Sequence, residues 1–174
     1  MSTTLAPQPS QTGREDFVAA YGEIYEHSPW VAAAAWDRGL SAAQDTPEGL
    51  AQAMAAVLNA ASEADQLQVL RAHPDLAGKA AVAGELTEDS SREQAGAGLD
   101  RLTEEEFQRF QTLNDAYRQK FDFPFILAVR GHDKHSILRA FEERLENTPE
   151  QERRTAIEQV NRIALLRLKD RASS

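Results

Sequence analysis

The stretch "TEEEFQRFQTLNDAYRQKF", residues 103–121, contains the clearest secondary-structure signal in the chain. Thr103 and Glu106 have the spacing of a capping box, in which each side chain satisfies a free backbone amide at the start of a helix. Four aromatic residues and one asparagine then recur at helical spacing: Phe107, Phe110, Asn114, Tyr117 and Phe121. The stretch therefore predicts a long helix with one face buried in the core.

Similar signals occur on both sides of this helix. Helix-start residues precede the other main periodic segments, namely Thr46, Ser62, Asp133 and Thr148. Ser90 or Ser91 is predicted to cap a further short helix, in which Ser90 and Glu93 form a second capping box. Pro74 stops a helix near His73, since proline disfavours helical geometry in the residue before it, and a loop is predicted over residues 74–86. Together these signals predict an all-α, single-domain helical bundle of about seven to eight helices.

The ends and the composition of the chain limit the class of protein. Its 174 residues, 41% of them hydrophobic, are enough to bury the core of one ordinary domain. Residues 1–13 are rich in Ser, Thr, Pro and Gln and are predicted to form a mobile tail, followed by the folded domain over residues 14–172. No apolar run is long enough to span a membrane, and the N-terminus does not have the apolar region of a secretory signal. We predict a cytoplasmic protein.

Charge and cysteine content exclude several functions. The formal net charge of -9 disfavours nucleic acid and anionic membranes as partners, because both require a basic surface. A small anionic substrate is still compatible with this charge, since one local arginine can bind it. The chain has no cysteine, which excludes disulfides, thiolate catalysis and cysteine-ligated metals.

One apolar segment does not follow the helical pattern. The sequence "FPFILAV", residues 123–129, is apolar throughout and shows no helical alternation. It is compatible with a buried strand, an irregular core segment or an extended wall of a pocket, and periodicity alone does not distinguish these structures.

His73 and Glu93 are candidates for acid–base chemistry, although each also has a purely structural explanation. In the last turn of a helix, an imidazolium at His73 is stabilised by the negative helix end, which favours proton donation near neutral pH. The same position suits a C-terminal cap. The predicted capping box likewise explains Ser90 and Glu93 as helix-start residues, whereas Gln94 beside them has no such explanation.

Arg167 is a second anomaly, because it falls on the apolar face of the last helix. It follows Val160 and Ile163 at helical spacing and is therefore predicted to point inward. A buried guanidinium must be paired or must reach a polar cavity. The open alternatives are an ion pair with an acid such as Glu93, a side chain that extends to water at the helix end, and a binding site for an anion.

His132 and His135, in "GHDKHS", have a spacing that metal ligands can adopt. Protein zinc sites usually need at least three ligands, and no third candidate lies nearby in the sequence. We therefore predict no metal site, and a metal-dependent hydrolase that uses these two histidines is the least favoured hypothesis.

Four separated motifs resemble one known family. They are "HPDLAGK" at residues 73–79, "SREQAG" at 91–96, "LNDAYRQKFDFPFILAVRG" at 113–131 and "ALLRLKD" at 164–170. In this order they closely resemble the 2-oxo-4-hydroxy-4-carboxy-5-ureidoimidazoline (OHCU) decarboxylases of urate degradation. The resemblance extends over roughly residues 14–170.

This resemblance implies an all-helical carboxy-lyase that needs no cofactor and forms (S)-allantoin. By its motifs, His73 corresponds to the catalytic histidine and Glu93 to a catalytically important carboxylate. The substrate contacts that it implies are Pro74, Ser90, Gln94, the backbone of Phe125, Ile126, Leu127, Ala128 and Val129, and the side chain of Arg167. The alternative is an all-helical module that binds ureides without turning them over. The only partner predicted is the small-molecule substrate, and the alanine-rich helical surface is compatible with a homodimer.

Overall fold

The computed structural model describes residues 4–77 and 86–172, so that most of the predicted loop over 74–86 lies outside the described residues. The predicted all-α fold is confirmed: the described residues form eight α-helices and three short 3-10 helices, and they include no β-strand. The α-helices are α1 (Arg14–Tyr21), α2 (Trp30–Asp37), α3 (Pro47–Ala60), α4 (Glu63–Ala72), α5 (Glu88–Gly96), α6 (Glu104–Phe121), α7 (Lys134–Leu145) and α8 (Pro149–Ala172). None of the described helices is both long and apolar enough to cross a membrane.

Most of the predicted helix starts are confirmed. The side chains of Thr46, Ser62 and Asp133 each accept a hydrogen bond from the backbone N–H three residues later, at 2.8–3.1 Å. Thr103 and Glu106 form the predicted capping box at the start of α6. These side chains satisfy amides that have no partner within the helix, so each start is determined locally.

The predicted start of α5 is wrong. The helix begins at Glu88, and its cap is Thr87, whose Oγ1 accepts a hydrogen bond from the backbone N–H of Ser90 at 3.2 Å. Thr87 has the same capping chemistry as serine, and Glu88 and Asp89 add favourable acidic residues in the first turn. Ser90 and Glu93 therefore lie inside the helix and do not form a capping box.

The chain divides into two compact units, Met1–Ala72 with Val160–Ser174, and His73–Gln159. In the first unit, α2 packs against both α1 and α3, and Phe17, Val31 and Leu50 are fully buried. Residues near the N-terminus also pack here: Leu5 is 1% exposed, and Ser10 hydrogen-bonds to the carboxylate of Asp45. The mobility of residues 1–13 stays a prediction.

The core of the second unit is aromatic. The ring of Tyr117 on α6 lies within about 6 Å of four phenylalanine rings, namely Phe121, Phe123, Phe125 and Phe141. The rings of Phe125 and Phe141 are stacked, with 3.9 Å between their centroids. Residues 123–129 have no regular secondary structure and are buried except for Leu127, which is half-buried. Of the three predicted alternatives, a strand is therefore excluded for this segment.

Candidate active site

His73 lies directly after a helix end, as predicted. Helix α4 ends at Ala72, and proline at position 74 accounts for this end. The His73 side chain is half-buried: its Nε2 atom is buried, and its Nδ1 atom lies 3.4 Å from the carbonyl oxygen of Pro74. His73 thus begins a segment without regular secondary structure, and we call its described part, residues 73–77, the His73 loop.

Gln94 on α5 makes two hydrogen bonds to this loop, at Asp75 and at Ala77. Its Oε1 atom accepts from the backbone N–H of Ala77 at 2.9 Å, and its Nε2 atom donates to the carbonyl oxygen of Asp75 at 3.2 Å. Ala77 has a φ of 52°, in the left-handed region that side chains other than glycine rarely adopt. The Gln94 amide thus stabilises an unfavourable backbone conformation and joins the loop to the helix that carries Glu93.

Three side chains on α6 hydrogen-bond to the same loop from another direction. Gln111 Nε2 donates to the Ala77 carbonyl at 2.8 Å, and Asn114 Nδ2 donates to the Leu76 carbonyl at 2.9 Å. Arg118 forms an ion pair with Asp75 at 3.0 Å. Residues 111, 114 and 118 share one helix face, so they form a polar stripe that faces three consecutive loop residues.

Sequence reasoning missed the role of this stripe. It counted Asn114 as part of the buried face, which is confirmed, but it did not ask what the amide binds there. A polar residue in the middle of an aromatic stripe must find a partner, and this signal was available from the sequence.

Ser90, Glu93 and Gln94 lie on one face of α5, because they are three and four residues apart. Ser90 and Gln94 are buried, and Glu93 is half-buried. Since Thr87 is the cap of this helix, helix initiation no longer explains the side chains of Ser90 and Glu93. The structural alternative for these two residues is therefore weaker than the sequence suggested.

The 123–129 segment uses some of its backbone groups within the protein. The Ile126 carbonyl accepts a hydrogen bond from Arg144, and the Ala128 N–H donates to Gln159 Oε1 at 2.9 Å. Among the described residues, the backbone groups of Phe125 and Leu127 have no hydrogen-bond partner. The segment thus has backbone groups of two kinds, those bound by side chains and those without a partner among the described residues.

A buried ion pair supports this segment. Both Arg144 and Glu152 lie below the surface, at 8% and 0% exposed, and their closest oxygen and nitrogen atoms are 2.9 Å apart. Tyr117 also donates a hydrogen bond to Glu152, and the Arg144 guanidinium carbon lies 4.4 Å from the centre of the Phe125 ring. Burial raises the pKa of the Tyr117 hydroxyl above its usual value, which keeps it a donor.

The sequence contained a signal for this ion pair as well. Arg144 follows Ile137 by seven residues and Phe141 by three, so it lies on the apolar face of α7. Like Arg167, Arg144 lies at helical spacing from apolar residues, so it is expected to point inward and to need an acidic partner.

Arg167 points inward, as predicted, and lies in the first unit with only 2% of its surface exposed. Its NH2 group donates to Glu26 Oε1 at 2.8 Å, and its NH1 group donates to the Ile24 carbonyl at 3.2 Å. Glu26 is itself 4% exposed. The guanidinium therefore has an acidic partner within its own unit.

A cavity of about 580 Å³ lies in the second unit, and Ala77 and Gln94 contribute to its lining. Among the described residues, the rest of its wall is mainly apolar and includes the acids Asp100 and Glu104 but no basic side chain. Because acidic groups repel an anion, the described part of this wall does not favour a carboxylate.

Among the described residues, His132 and His135 belong to no group of side chains that could hold a metal ion. His132 Nδ1 lies 2.9 Å from Ser136 Oγ near the start of α7. Within residues 4–77 and 86–172, no group of three or more histidine or acidic side chains could hold a metal ion. The described residues offer no support for the hydrolase hypothesis.

The His73 loop and α5, which Gln94 joins, carry groups suited to proton transfer. An imidazole follows a helix end, and its loop is joined by hydrogen bonds to a second helix that carries a serine, a carboxylate and an amide on one face. These features define an all-α protein with a candidate acid–base site.

Comparison with known proteins identifies the family. The family model described as "OHCU decarboxylase" matches residues 10–169, which include parts of both compact units. The chain is 46% identical over 161 residues to the OHCU decarboxylase of Halalkalicoccus jeotgali, covering 92% of this chain and 88% of the relative. It is 44% identical over 161 residues to the OHCU decarboxylase of Haloferax volcanii, covering 92% and 91%. The chain belongs to the OHCU decarboxylase family, a family of carboxy-lyases in urate degradation.

A solved structure agrees with this assignment. The crystal structure of an (S)-allantoin synthase superposes with a TM-score of 0.75 at 37% sequence identity. The match covers 97% of this chain and 53% of the crystallised chain, so this protein spans about half the length of that relative.

Proposed function

We propose that this protein decarboxylates OHCU to (S)-allantoin and that His73 is the proton donor. The observation that carries the proposal is the joining of the His73 loop to α5 through the two hydrogen bonds of Gln94. These bonds bring the helix that carries Glu93 against the loop that carries the imidazole. The names of the relatives support the reaction and its product.

The reaction requires two things from the protein. The bond between ring carbon 4 and its carboxylate breaks, carbon dioxide leaves, and the electron pair forms a double bond between ring carbons 4 and 5 while the electrons of the carbon 5–nitrogen double bond move to nitrogen, which takes up a proton. The hydroxyl on carbon 4 then loses its proton to become the ring carbonyl of allantoin, and the resulting enolate is protonated on carbon 5. Positioned hydrogen-bond donors stabilise the negative charge, and the proton must reach carbon 5, which carries the ureido group, from one face to give a single stereoisomer. We assign the proton to His73, assisted by Glu93, and assign Pro74 to the wall of the substrate site.

Ser90 and Gln94 are proposed to contact the substrate from α5. The amide of Gln94 already makes two hydrogen bonds to the loop, so a substrate contact would use the second hydrogen on its Nε2 atom. The buried hydroxyl of Ser90 lies one helical turn before Glu93, on the same face of the helix.

Residues 125–129 are proposed to bind the planar ureido and amide edges of the substrate. Because Ile126 and Ala128 already use backbone groups within the protein, we assign this role mainly to the backbone of Phe125 and Leu127. Their apolar surroundings would strengthen such hydrogen bonds.

Arg167 is proposed to bind an anionic group of the substrate. The support is a guanidinium held by Glu26 and by the Ile24 carbonyl, because a fixed arginine loses little entropy when it binds a carboxylate. We further propose a cytoplasmic enzyme that acts without a cofactor, and the homodimer stays a prediction.

The test follows reaction rate and product handedness together, because OHCU also decays spontaneously. OHCU is generated in situ from urate with the two preceding enzymes, and circular dichroism records the product. We expect a fast, optically active product with the wild type and a decrease of about 10²–10⁴-fold in rate with His73→Gln. A racemic product that forms no faster than in the absence of the protein would refute the proposal.

A control variant and a binding measurement complete this test. Gln119→Met changes an exposed residue of α6 and should leave the rate unchanged. The alternative, a non-catalytic module, predicts that allantoin raises the melting temperature although the protein does not accelerate decarboxylation.

A further inference from the structure

We propose that the α6 polar stripe, defined as Gln111, Asn114 and Arg118, positions the His73 imidazole for proton transfer. These residues are positioning residues: they act on the reaction through the backbone of the loop. The inference rests on the proposed role of His73 as proton donor.

The stripe holds consecutive loop residues one by one. Asp75 is bound through its carboxylate, and Leu76 and Ala77 are bound through their carbonyl oxygens. Carbonyls of a loop would otherwise be solvated by water, which does not fix their direction. Two of these acceptors are instead bound by amide side chains on one rigid helix, so the positions of Leu76 and Ala77 are determined to within the tolerance of a hydrogen bond.

Pro74 limits the freedom of His73 on the side of this fixed segment. On its N-terminal side, helix α4 ends at Ala72. On its C-terminal side, Pro74 has a fixed φ and restricts the backbone of the preceding histidine to extended conformations. Because residues 75–77 are fixed, the backbone of His73 is restricted as well. The remaining freedom of the imidazole is mainly rotation about its own side-chain bonds.

Asn114 carries the strongest argument, because its buried amide binds the loop backbone directly. It is 6% exposed, its Nδ2 atom binds the Leu76 carbonyl, and its Oδ1 atom is buried with no hydrogen-bond partner among the described residues. A leucine at this position would remove both polar atoms and would leave the buried Leu76 carbonyl without its donor. The amide therefore contributes chiefly the contact with the Leu76 carbonyl.

Ala77 gives independent support. Its φ of 52° is unfavourable for a residue with a Cβ atom, yet both its N–H and its carbonyl are bound, by Gln94 and Gln111. A backbone that adopts an unfavourable conformation persists only when its surroundings hold it there. The stripe on α6 and Gln94 on α5 together provide those contacts.

The test compares Gln111→Met, Asn114→Leu and Arg118→Met with the matched surface variant Gln119→Met on the same helix. We expect kcat to fall by about 10- to 100-fold for Asn114→Leu and by less for the other two, because small misplacements of a catalytic group reduce the rate steeply. KM should change little, since the stripe is not proposed to touch the substrate. Arg118→Lys should recover most of the activity lost in Arg118→Met, because it restores the ion pair with Asp75.

A second measurement reports on the imidazole itself. In nuclear magnetic resonance spectra, the ring Cε1–H signal of His73 should be single and sharp in the wild type and in Gln119→Met. It should shift or broaden in the three stripe variants. Melting temperatures identify any variant that fails to fold, and Gln111→Met and Arg118→Met change more exposed residues than Asn114→Leu, so they test the inference even if that variant unfolds.

The outcomes separate this inference from the proposed function. If His73→Gln is inactive while folded Gln111→Met and Arg118→Met keep the wild-type kcat and the wild-type imidazole signal, the positioning role is wrong. If His73→Gln keeps the full rate enhancement, the proposed proton donor is wrong, and the catalytic part of the inference is overturned with it. An unchanged His73 signal in every folded stripe variant overturns the structural part as well.

Discussion

Each compact unit contains a buried arginine paired with a buried glutamate, and the two pairs differ in their surroundings. In the second unit, Arg144 and Glu152 also bind Tyr117, Asn147 and the Ile126 carbonyl. In the first unit, Arg167 binds Glu26 and the Ile24 carbonyl. The pair of Arg144 and Glu152 stabilises the structure that supports residues 123–129. The pair of Arg167 and Glu26 is the one whose arginine is proposed to bind substrate.

A buried arginine on the apolar face of a helix therefore indicates a polar site in the interior of the protein. It does not indicate whether that site stabilises the fold or binds the substrate. Both Arg144 and Arg167 satisfy that sequence criterion equally well. Burial makes each arginine need an acid, because an unpaired charge in the interior is too costly. Whether the pair serves the fold or the substrate depends on what else surrounds it, and variants can separate the two roles.

The largest expected effect is on stability, from Glu152→Gln. This change leaves the Arg144 charge buried without its carboxylate, and we expect the free energy of unfolding to fall by about 3–5 kcal/mol. Chemical denaturation with circular dichroism detection measures the change. A loss below about 1 kcal/mol would contradict the scaffold role of this pair.

The second-largest effect is expected from Arg167→Lys and Arg144→Lys, which make the same substitution in each of the two pairs. Lysine keeps the charge but loses the fork of donors. We expect Arg167→Lys to reduce kcat/KM by about 10-fold or more with a small change in stability, since a charge-assisted hydrogen bond contributes about 1.5–3 kcal/mol. Arg144→Lys should instead lower the melting temperature first, because it also loses the contacts with Ile126 and with the Phe125 ring.

Steady-state kinetics and thermal unfolding of both variants make this comparison. If the two lysine variants lose kcat/KM and stability in the same proportion, the two arginine–glutamate pairs have the same role. The assignment of Arg167 to substrate binding would then fail.

The smallest effect concerns Tyr117, which belongs to the Arg144 pair. Burial raises its pKa in the folded protein above the unfolded value of about 10. The unfolded state therefore releases this proton first, so the contribution to stability is complete below pH 10 and is lost as the pH rises above it. Tyr117→Phe should cost about 1 kcal/mol near neutral pH, since one hydrogen bond is lost, and should flatten the alkaline decline.

Denaturation measured between pH 8 and about pH 11 checks the sign. Tyr25→Phe is the matched comparison in the first unit and should flatten the alkaline decline in the same way, because burial also raises the pKa of Tyr25. If Tyr117→Phe leaves the alkaline decline as steep as in the wild type, burial does not raise the Tyr117 pKa as described.

Much of the fold was predictable, because helix starts depend on residues close in sequence. Thr46, Ser62, Thr103 and Asp133 cap the predicted helices. The start of α5 was predicted wrongly at Ser90 or Ser91, since the actual cap, Thr87, has the same capping chemistry as serine and local chemistry does not choose between them. The segment over residues 123–129 also remained ambiguous, because an apolar run has no period from which to infer its conformation.

The sequence by itself determined the helical segments, the inward direction of Arg167 and the membership of the family, since periodicity, capping and motifs are properties of residues near one another. The tertiary structure alone decided that Glu26 pairs with Arg167, that Glu152 pairs with Arg144, and that the α6 polar stripe holds the His73 loop. Loop residue Leu76 and its partner Asn114 are 38 positions apart. Such pairings depend on how helices pack, and side-chain spacing along one helix does not encode the identity of a partner on another.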